Sequence, residues 1–313
     1  MITFYPVFGM RSAERFMISR FILALIKLLA LQPRKMSQAE GLLLGYYHYF
    51  TRSKAYRVTR ANIKLCFSQL SEKDQQKLVI SSLVSTGKTL METPAAWLGE
   101  SKYLLTWISG VEGEDLFLDA LASNKGTLLL LPHVGNWELL NVYISQKGGT
   151  TALYKPPKLT GLSDAIVALR GQYGNELVAT DKRGLSRLFR VLSKGGVATI
   201  LPDQTPEVGL FASFFGSQAL TDRLAYRLSK RSPVTVLTVA VYRLPDGRFK
   251  ICFSEPDPDF ASADELTAVR GLNKTIENCV RVSPEQYQWE YKRFRKRPKG
   301  EKKLYAFGKD QYH

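Results

Sequence analysis

Residues 127–138 read Thr-Leu-Leu-Leu-Leu-Pro-His-Val-Gly-Asn-Trp-Glu. The run of four leucines is typical of a short strand buried on both faces, and Pro132 ends it. Gly135 and Asn136 are turn residues that favour entry into a following helix. His133 is therefore expected in the turn at the carboxyl end of a buried strand, where parallel α/β sheets place their ligands.

Short apolar strands and helical windows continue to alternate after this segment. Further strands are predicted at Thr151–Tyr154, Glu176–Ala179, Val197–Leu201, Val234–Tyr242 and Phe249–Phe253. Helices are predicted between most of them, at Glu138–Ile144, Ser163–Tyr173, Leu185–Leu192 and Thr221–Lys230. This alternation indicates an α/β fold with a mostly parallel central sheet and helices on both faces.

The rest of the chain suggests one main domain preceded by an amino-terminal helical segment. Residues 1–36 are predicted to be a membrane-interface helix, and residues 37–313 a single domain. Its first part, to residue 100, is expected to be helical. The domain should end in a long helix from Ala261, broken at Ser283-Pro284, and a basic aromatic tail over about residues 283–313.

The charge balance indicates an acidic partner. The 313 residues are 45% hydrophobic with a net charge of +16, a composition that excludes collagen, a disulfide scaffold and a wholly disordered chain. Residues 1–70 carry 11 basic and 2 acidic side chains, residues 281–313 carry 10 and 4, and the residues between carry 23 and 22. Nucleic acid, an anionic membrane or an acidic protein would each complement these basic ends. Three scattered cysteines fit a reducing compartment, and we expect neither a metal nor a cofactor.

The apolar segment at residues 16–31 is interrupted by Arg20 and Lys27. Seven residues apart, these cations share one helix face and leave the other faces apolar. We therefore predict a helix in the headgroup layer, with Arg20 and Lys27 contacting anionic lipid. Packing on the protein's own core is an alternative, as is a tilted span with snorkelling cations.

His133 and Glu138 are candidates for acid–base chemistry. Their spacing of five brings them together only if His133 lies in the turn and Glu138 in the first helical turn. A carboxylate there would orient the ring and stabilise the imidazolium formed when His133 takes a proton. Because no GxSxG-type nucleophile elbow accompanies them, an acceptor hydroxyl or amine is expected to attack directly. A histidine that merely caps a buried helix start is equally compatible with the spacing.

Five ordered blocks resemble the bacterial lipid A biosynthesis acyltransferases, the lauroyl/myristoyl family of the wider HX4D/E glycerolipid acyltransferase superfamily. Pro132–Glu138 resembles the HxGNWE block of that family. The other four blocks are similar to its R…NL…CFP segment (with Ser68 in place of proline), YRPP turn, DQ…FFG…T block and closing PEQW…RFK.RP motif. They lie at Arg57–Phe67, Tyr154–Pro157, Leu201–Thr221 and Pro284–Pro298.

The resemblance implies an enzyme that moves a fatty acyl chain from acyl carrier protein, or from a CoA thioester, to a hydroxyl of a phosphorylated lipid A precursor. It implies action at the cytoplasmic face of the inner membrane and a glycerolipid acyltransferase-like fold. His133 would be the base and Glu138 its partner. Arg170 would bind the oxyanion or an acceptor phosphate, although a solvated helix face would also suit an arginine.

Further residues are assigned on position and resemblance together. Lys182 and Arg183, in a turn before a helix, are candidate phosphate ligands. Asp203 ends a strand and is expected at the site, although it would also cap its own turn. The residues expected to shape the site are Gly135, Asn136, Asp203, Gln204, Phe214, Phe215 and Gly216, with Phe214–Gly216 forming an acyl groove. In the tail, Trp289 and Arg293 are predicted to contact the membrane, the alternative being a solvated basic tail.

Other functions are compatible with parts of the sequence. The same chemistry would serve another glycolipid, an aminolipid or a lysophospholipid. A basic nucleic-acid-binding protein is suggested by the charge, but no such motif is present and the middle of the chain is neutral, so no nucleic-acid partner is expected. A catalytically silent lipid-binding relative is disfavoured because both His133 and Glu138 are present.

Overall fold

The computed structural model describes residues 12–154, 162–231 and 233–307. Three parts of the predicted features lie outside the described residues: 1–11 of the interface segment, 155–157 of the YRPP-like turn, and 308–313 of the tail.

The amino-terminal part of the described chain is helical, as predicted. The helices are α1 (Ser12–Ala30), α2 (Arg34–Phe50), α3 (Lys54–Cys66), α4 (Glu72–Leu98) and the short α5 (Ser101–Leu105). Ser53 and Ser71 cap α3 and α4 by accepting backbone N–H groups of their first turns. Across the described ranges, no helix combines the length and apolar character needed to cross a membrane.

The strands of the described residues are β1 (Ile108–Glu112), β2 (Gly126–Leu130), β3 (Thr151–Tyr154), β4 (Glu176–Ala179), β5 (Val197–Ile200), β6 (Leu210–Phe214), β7 (Ser217–Thr221), β8 (Val234–Arg243) and β9 (Phe249–Ser254). Seven of them form one sheet in the order β1-β9-β8-β2-β5-β3-β4. Every neighbouring pair in it is parallel except β8 and β9. The prediction of a mostly parallel α/β sheet is confirmed.

Helices cover both faces of this sheet. They are α6 (Glu114–Ala122), α7 (Leu139–Ser145), α8 (Leu162–Gly171), α9 (Lys182–Ser193), α10 (Leu224–Arg231) and α11 (Glu265–Val282). The leucine run of β2 serves both layers, because Leu128 and Leu130 belong to one apolar core while Leu129 and Leu131 belong to the other. This alternation explains why the strand is apolar at every position.

Three strands were missed by the sequence analysis. Strand β1 is half exposed at the sheet edge, so its apolar signal is weak. The other two missed strands, β6 and β7, pair as an antiparallel hairpin. Phe214, Phe215 and Gly216, predicted to form an acyl groove, lie at the turn of this hairpin. Phe214 and Phe215 are buried in the core, and Gly216 has φ +76°. Thr221, predicted to start a helix, instead ends β7.

Trp289 and Arg293 of the basic aromatic tail are buried in the core, which corrects the prediction that they contact a membrane. Trp289 is fully buried, packs edge-on against Phe67 and Tyr287, and donates its indole N–H to the Pro284 carbonyl at 2.7 Å. Asn62 of α3 donates to the Trp289 carbonyl, also at 2.7 Å. The tail therefore ties the first helices to the sheet.

Arg293 is 1% exposed and is held by three neutral oxygens from two other segments, β7 and α11. Its guanidinium donates to the Leu220 carbonyl at 2.6 Å, to the Thr221 hydroxyl at 2.8 Å and to Asn273 Oδ1 at 3.3 Å. Burial lowers the pKa of Arg293, and the nearby Asp203 carboxylate is among the groups that oppose this shift. Arg293 therefore joins the β7 end, α11 and the tail.

Replacing Arg293 with Met should lower the free energy of unfolding by about 2–4 kcal/mol, because three buried acceptors lose their donor. Urea denaturation of the purified protein measures this. Lys299→Met, at an exposed position of the same tail, should change stability by less than about 0.5 kcal/mol. Equal, small effects of the two substitutions would contradict the core assignment of the tail.

Candidate active site

His133 lies beside Asp203 because of the pairing between β2 and β5. These parallel strands are in register at Leu130 and Ile200, and each is followed by Leu-Pro before the polar residue. His133 and Asp203 therefore stand three residues beyond paired positions, at the same edge of the sheet. The His133 ring Nδ1 lies 2.6 Å from Asp203 Oδ1, and the His133 backbone N–H donates to Asp203 Oδ2 at 2.8 Å.

The electrostatics of this pair favour an ionised carboxylate. His133 and Asp203 are both buried, at 7% and 1% exposure. Burial raises the pKa of the Asp203 carboxyl, but the His133 ring and its backbone N–H outweigh that effect and hold the pKa below its usual value. A carboxylate facing Nδ1 fixes the proton on that nitrogen, which leaves Nε2 as the basic atom.

Nε2 of His133 faces the amide of Gln204. The two nitrogens are 3.3 Å apart, so the Gln204 NH₂ group donates to the unprotonated Nε2. The Trp137 ring packs edge-on against the imidazole with centroids 4.8 Å apart. Gln204 thus borders the basic atom, and Trp137 packs against the ring that carries it.

Glu138 does not pair with His133, which corrects the predicted partnership. Arg170 donates through Nε to Glu138 Oε2 at 3.0 Å and through a terminal nitrogen to Oε1, and Asn141 donates to Oε2 at 3.3 Å. In the part of the chain that the structure describes, His133 and Glu138 form no hydrogen bond with each other. The reason is geometric: Glu138 directly precedes α7 and faces α8, whereas the Nδ1 side of the His133 ring faces the end of β5.

Arg170, on the last turn of α8, is built into the interior and not onto a solvated helix face. Its guanidinium carbon lies 5.4 Å above the Trp97 ring, and its side chain is 22% exposed. Burial lowers the pKa of Arg170 to about 10, so the group stays protonated at neutral pH. Because Glu138 is 3% exposed, the two form a largely buried bidentate ion pair.

The loop between His133 and Glu138 is held in place by backbone contacts of Gly135. Gly135 has φ +60°, and a Cβ atom there would lie 1.9 Å from the Val241 carbonyl oxygen, so a side chain is excluded. Its N–H donates to the Gln286 carbonyl at 2.9 Å, and its own carbonyl accepts from Thr89 at 3.0 Å. The predicted turn at Gly135 is thus a point of close backbone approach.

Asn136 connects this loop to a buried ion pair that the sequence analysis missed. Its side-chain amide donates to Glu92 Oε2 at 3.1 Å. Arg243 donates to both oxygens of Glu92, at 2.9 and 2.6 Å, and also to Thr89 at 2.8 Å. Glu92 and Arg243 are 151 residues apart in the sequence, and no local pattern marks them as partners.

Two groups of predicted site residues are not brought to His133. Lys182 and Arg183 are exposed at the start of α9, where Asp181 accepts the Gly184 N–H. Arg183 borders a separate open depression of about 270 Å³. Within the described ranges neither residue bonds to His133, Asp203 or Arg170. Phe214–Gly216 lie in the β6–β7 hairpin, as described above.

Comparison with known proteins identifies the family of this chain. The family described as bacterial lipid A biosynthesis acyltransferase matches residues 10–296. The chain is similar to the lipid A biosynthesis lauroyltransferase of Escherichia coli K12, with 28% identity over 248 residues that cover 78% of this chain and 80% of that protein. It is 30% identical to the palmitoleoyltransferase of the same organism, covering 79% and 81%, and 25% identical to its myristoyltransferase, covering 91% and 88%. The chain belongs to the bacterial lipid A biosynthesis acyltransferase family.

Proposed function

We propose that this O-acyltransferase moves a fatty acyl chain from a thioester donor to a hydroxyl of a lipid A precursor, with His133 as the general base. The observation that carries the proposal is the 2.6 Å contact between His133 Nδ1 and Asp203, which leaves Nε2 to accept a proton. The names of the similar proteins, which are lipid A acyltransferases, support the substrate class. Asp203, and not Glu138, orients the base.

The reaction has two steps. The acceptor hydroxyl displaces the Gln204 amide from His133 Nε2, gives its proton to that atom and attacks the thioester carbonyl carbon. The tetrahedral intermediate then collapses with cleavage of the carbon–sulfur bond, and the imidazolium returns the proton to the leaving thiolate. Asp203 stabilises the imidazolium between the two steps.

Direct attack by the acceptor is favoured over an acyl-enzyme. A serine or cysteine nucleophile would need to lie within hydrogen-bond reach of His133. In the described part of the chain, the side-chain partners of His133 are Asp203 and Gln204. Neither is a hydroxyl or thiol, so the nucleophile is assigned to the acceptor itself.

Arg170 is assigned to anion binding, and Glu138 to holding Arg170 in place. A guanidinium has five N–H donors, and the bidentate contact directs two of them at Glu138. The others suit the thioester oxyanion or a phosphate of the acceptor. Under this assignment Glu138 positions the cation instead of touching the base.

Charge supports acyl carrier protein as the donor and the cytoplasmic face of the inner membrane as the location. The net charge of +16 complements an acidic carrier protein and an anionic leaflet. A CoA thioester is the alternative donor. Residues 1–36 provide the membrane attachment in this proposal, with Arg20 and Lys27 toward lipid phosphate.

The function is tested with purified protein, acyl carrier protein thioesters or CoA thioesters, and a lipid A precursor lacking one secondary acyl chain. We expect a product one acyl chain heavier by mass spectrometry, and membrane lipids one chain lighter in cells that lack the protein. His133→Ala should lower kcat by at least about 10²-fold without unfolding the protein. Unchanged turnover in His133→Ala would refute the assigned base.

Asp203→Asn should lower kcat by about 10²–10⁴-fold with little change in KM. The amide can still accept the His133 backbone N–H, but it no longer provides the charge that fixes the Nδ1 proton. Steady-state kinetics and circular dichroism of the variant measure activity and fold together. A variant with wild-type kcat would exclude Asp203 as the orienting group.

Glu138→Gln and Arg170→Gln should each lower kcat/KM, and the double variant should be no worse than the poorer single variant. Residues that act as one unit give such non-additive effects. The matched comparison is the pair Glu138→Gln and Asp203→Asn, whose effects should multiply. The opposite result would be a non-additive effect of Glu138→Gln with Asp203→Asn and an additive effect of Glu138→Gln with Arg170→Gln. That result would support the pairing of Glu138 with His133 that the sequence predicted.

A further inference from the structure

The outward face of α2 is apolar. Its exposed large side chains recur at intervals of three, four or seven residues, which places them in one stripe along the helix. Leu43, Tyr47 and Phe50 are 67%, 60% and 74% exposed. The full stripe consists of Met36, Leu43, Tyr46, Tyr47 and Phe50, with Leu42 beside it.

The inward face of α2 is made of small residues. Ser37, Gly41 and Gly45 are buried at intervals of four, and the two glycines lie directly on the backbone of α4. A Cβ atom at Gly41 would be 2.3 Å from Lys88 Cα, and one at Gly87 would be 2.1 Å from the Gly41 carbonyl oxygen. Small residues inside and large apolar residues outside are the reverse of a helix on a water-soluble core. They are the arrangement of helices that pack in lipid.

Helix α1, which precedes α2 in the chain, also exposes apolar side chains. Phe21, Leu25 and Leu28 are exposed along one side of it, whereas Ile26 on the other side packs against Trp97 and Tyr154. Of the fifteen exposed large apolar side chains in the described residues, ten lie between positions 21 and 50. The exposed large apolar side chains are therefore concentrated in the segment that forms α1 and α2.

We propose that α2, with α1, forms a two-helix face that lies in the headgroup–acyl boundary of an anionic bilayer. This inference rests on the proposed function only for the identity of the membrane, and it adds α2 to the attachment that the sequence placed within residues 1–36. The apolar stripe supplies the buried area, and basic residues at the helix ends meet lipid phosphate.

Charge favours a bilayer over a second copy of the chain as the occupant. Along the chain, the stripe is flanked by basic residues: Arg34 and Lys35 start α2, Lys27 lies in the last turn of α1, and Arg52 follows the end of α2. The acidic residue of α2, Glu40, accepts a hydrogen bond from Gln32 at 2.9 Å. Two copies meeting through this face would bring like charges together, whereas anionic lipid would neutralise them.

The face is fixed relative to the catalytic loop. Gln38, on the side of α2 that faces the protein, donates to Glu92 Oε1 at 2.8 Å and to the Gly247 carbonyl at 2.7 Å. Glu92 in turn holds Asn136, three residues after His133. Docking through α2 therefore sets the orientation of the site to the bilayer.

The test is co-sedimentation of the full chain with vesicles of phosphatidylcholine and phosphatidylglycerol. Leu43→Ser combined with Phe50→Ser should weaken partitioning about tenfold or more. The matched control is Val208→Ser with Val282→Ser, which removes two side chains of similar exposure, 80% and 69%, from other parts of the surface. The control should bind as the wild type does. Unchanged binding of the α2 variant, or equal loss in both variants, would overturn the proposal.

A second measurement separates docking from catalysis and from self-association. The α2 variant should keep wild-type turnover of detergent-dispersed acceptor and lose turnover of vesicle-embedded acceptor. If the wild type shows no transfer to the lipid A precursor, the proposed function fails while the vesicle result still stands. Sedimentation velocity showing a wild-type dimer that the α2 variant converts to a monomer would assign the face to a second copy and refute the bilayer.

Discussion

The parallel pairing of β2 with β5 determines where His133 and Asp203 lie in the candidate active site. It places His133 and Asp203 side by side only in the register that matches Leu130 with Ile200. A slip by one residue would shift one partner along the strand by about 3.3 Å and turn alternate side chains to the opposite face. An ionised carboxylate that is 1% exposed also needs a matched partner, so the register and the His133–Asp203 contact stabilise each other.

A second constraint acts on the loop that joins His133 to Glu138. The loop is held through Gly135 and Asn136 by Thr89, Glu92 and Arg243, all of them buried. An apolar replacement of such an ion pair often stabilises a protein, so burial of Glu92 and Arg243 is weak evidence for stability as such. The ion pair instead fixes the position of the loop, because Glu92 on α4 and Arg243 on β8 together connect residues 133–138 to both elements.

The sequence allowed the sheet to be predicted but not its strand order. Because the strand order was unknown, Glu138 was predicted as the partner of His133 in place of Asp203. Alternating strands and helices are local patterns, so β3 and β4 were placed correctly to the residue. The partner of His133 depends on which strand lies next to β2, and Asp203 is 70 residues away. The shared Leu-Pro before both residues was the available signal. In the tail, composition could not distinguish an interface from a core, because the hydrogen bonds that allow Arg293 to be buried come from oxygens far away in the sequence.

Helix α4 relates the two surfaces that the protein needs. Its 27 residues, about 40 Å long, carry Gly87 against α2 and, within two turns, Thr89 and Glu92 against the catalytic loop. Because Gly87 and Glu92 are only five residues apart on one helix, the distance between the apolar stripe of α2 and His133 can change little. An acceptor hydroxyl on a lipid anchored in a bilayer also has a restricted height and direction. If α2 docks on lipid and His133 is the base, as proposed, a rigid spacing between them performs part of the alignment that a soluble enzyme must obtain from substrate binding alone.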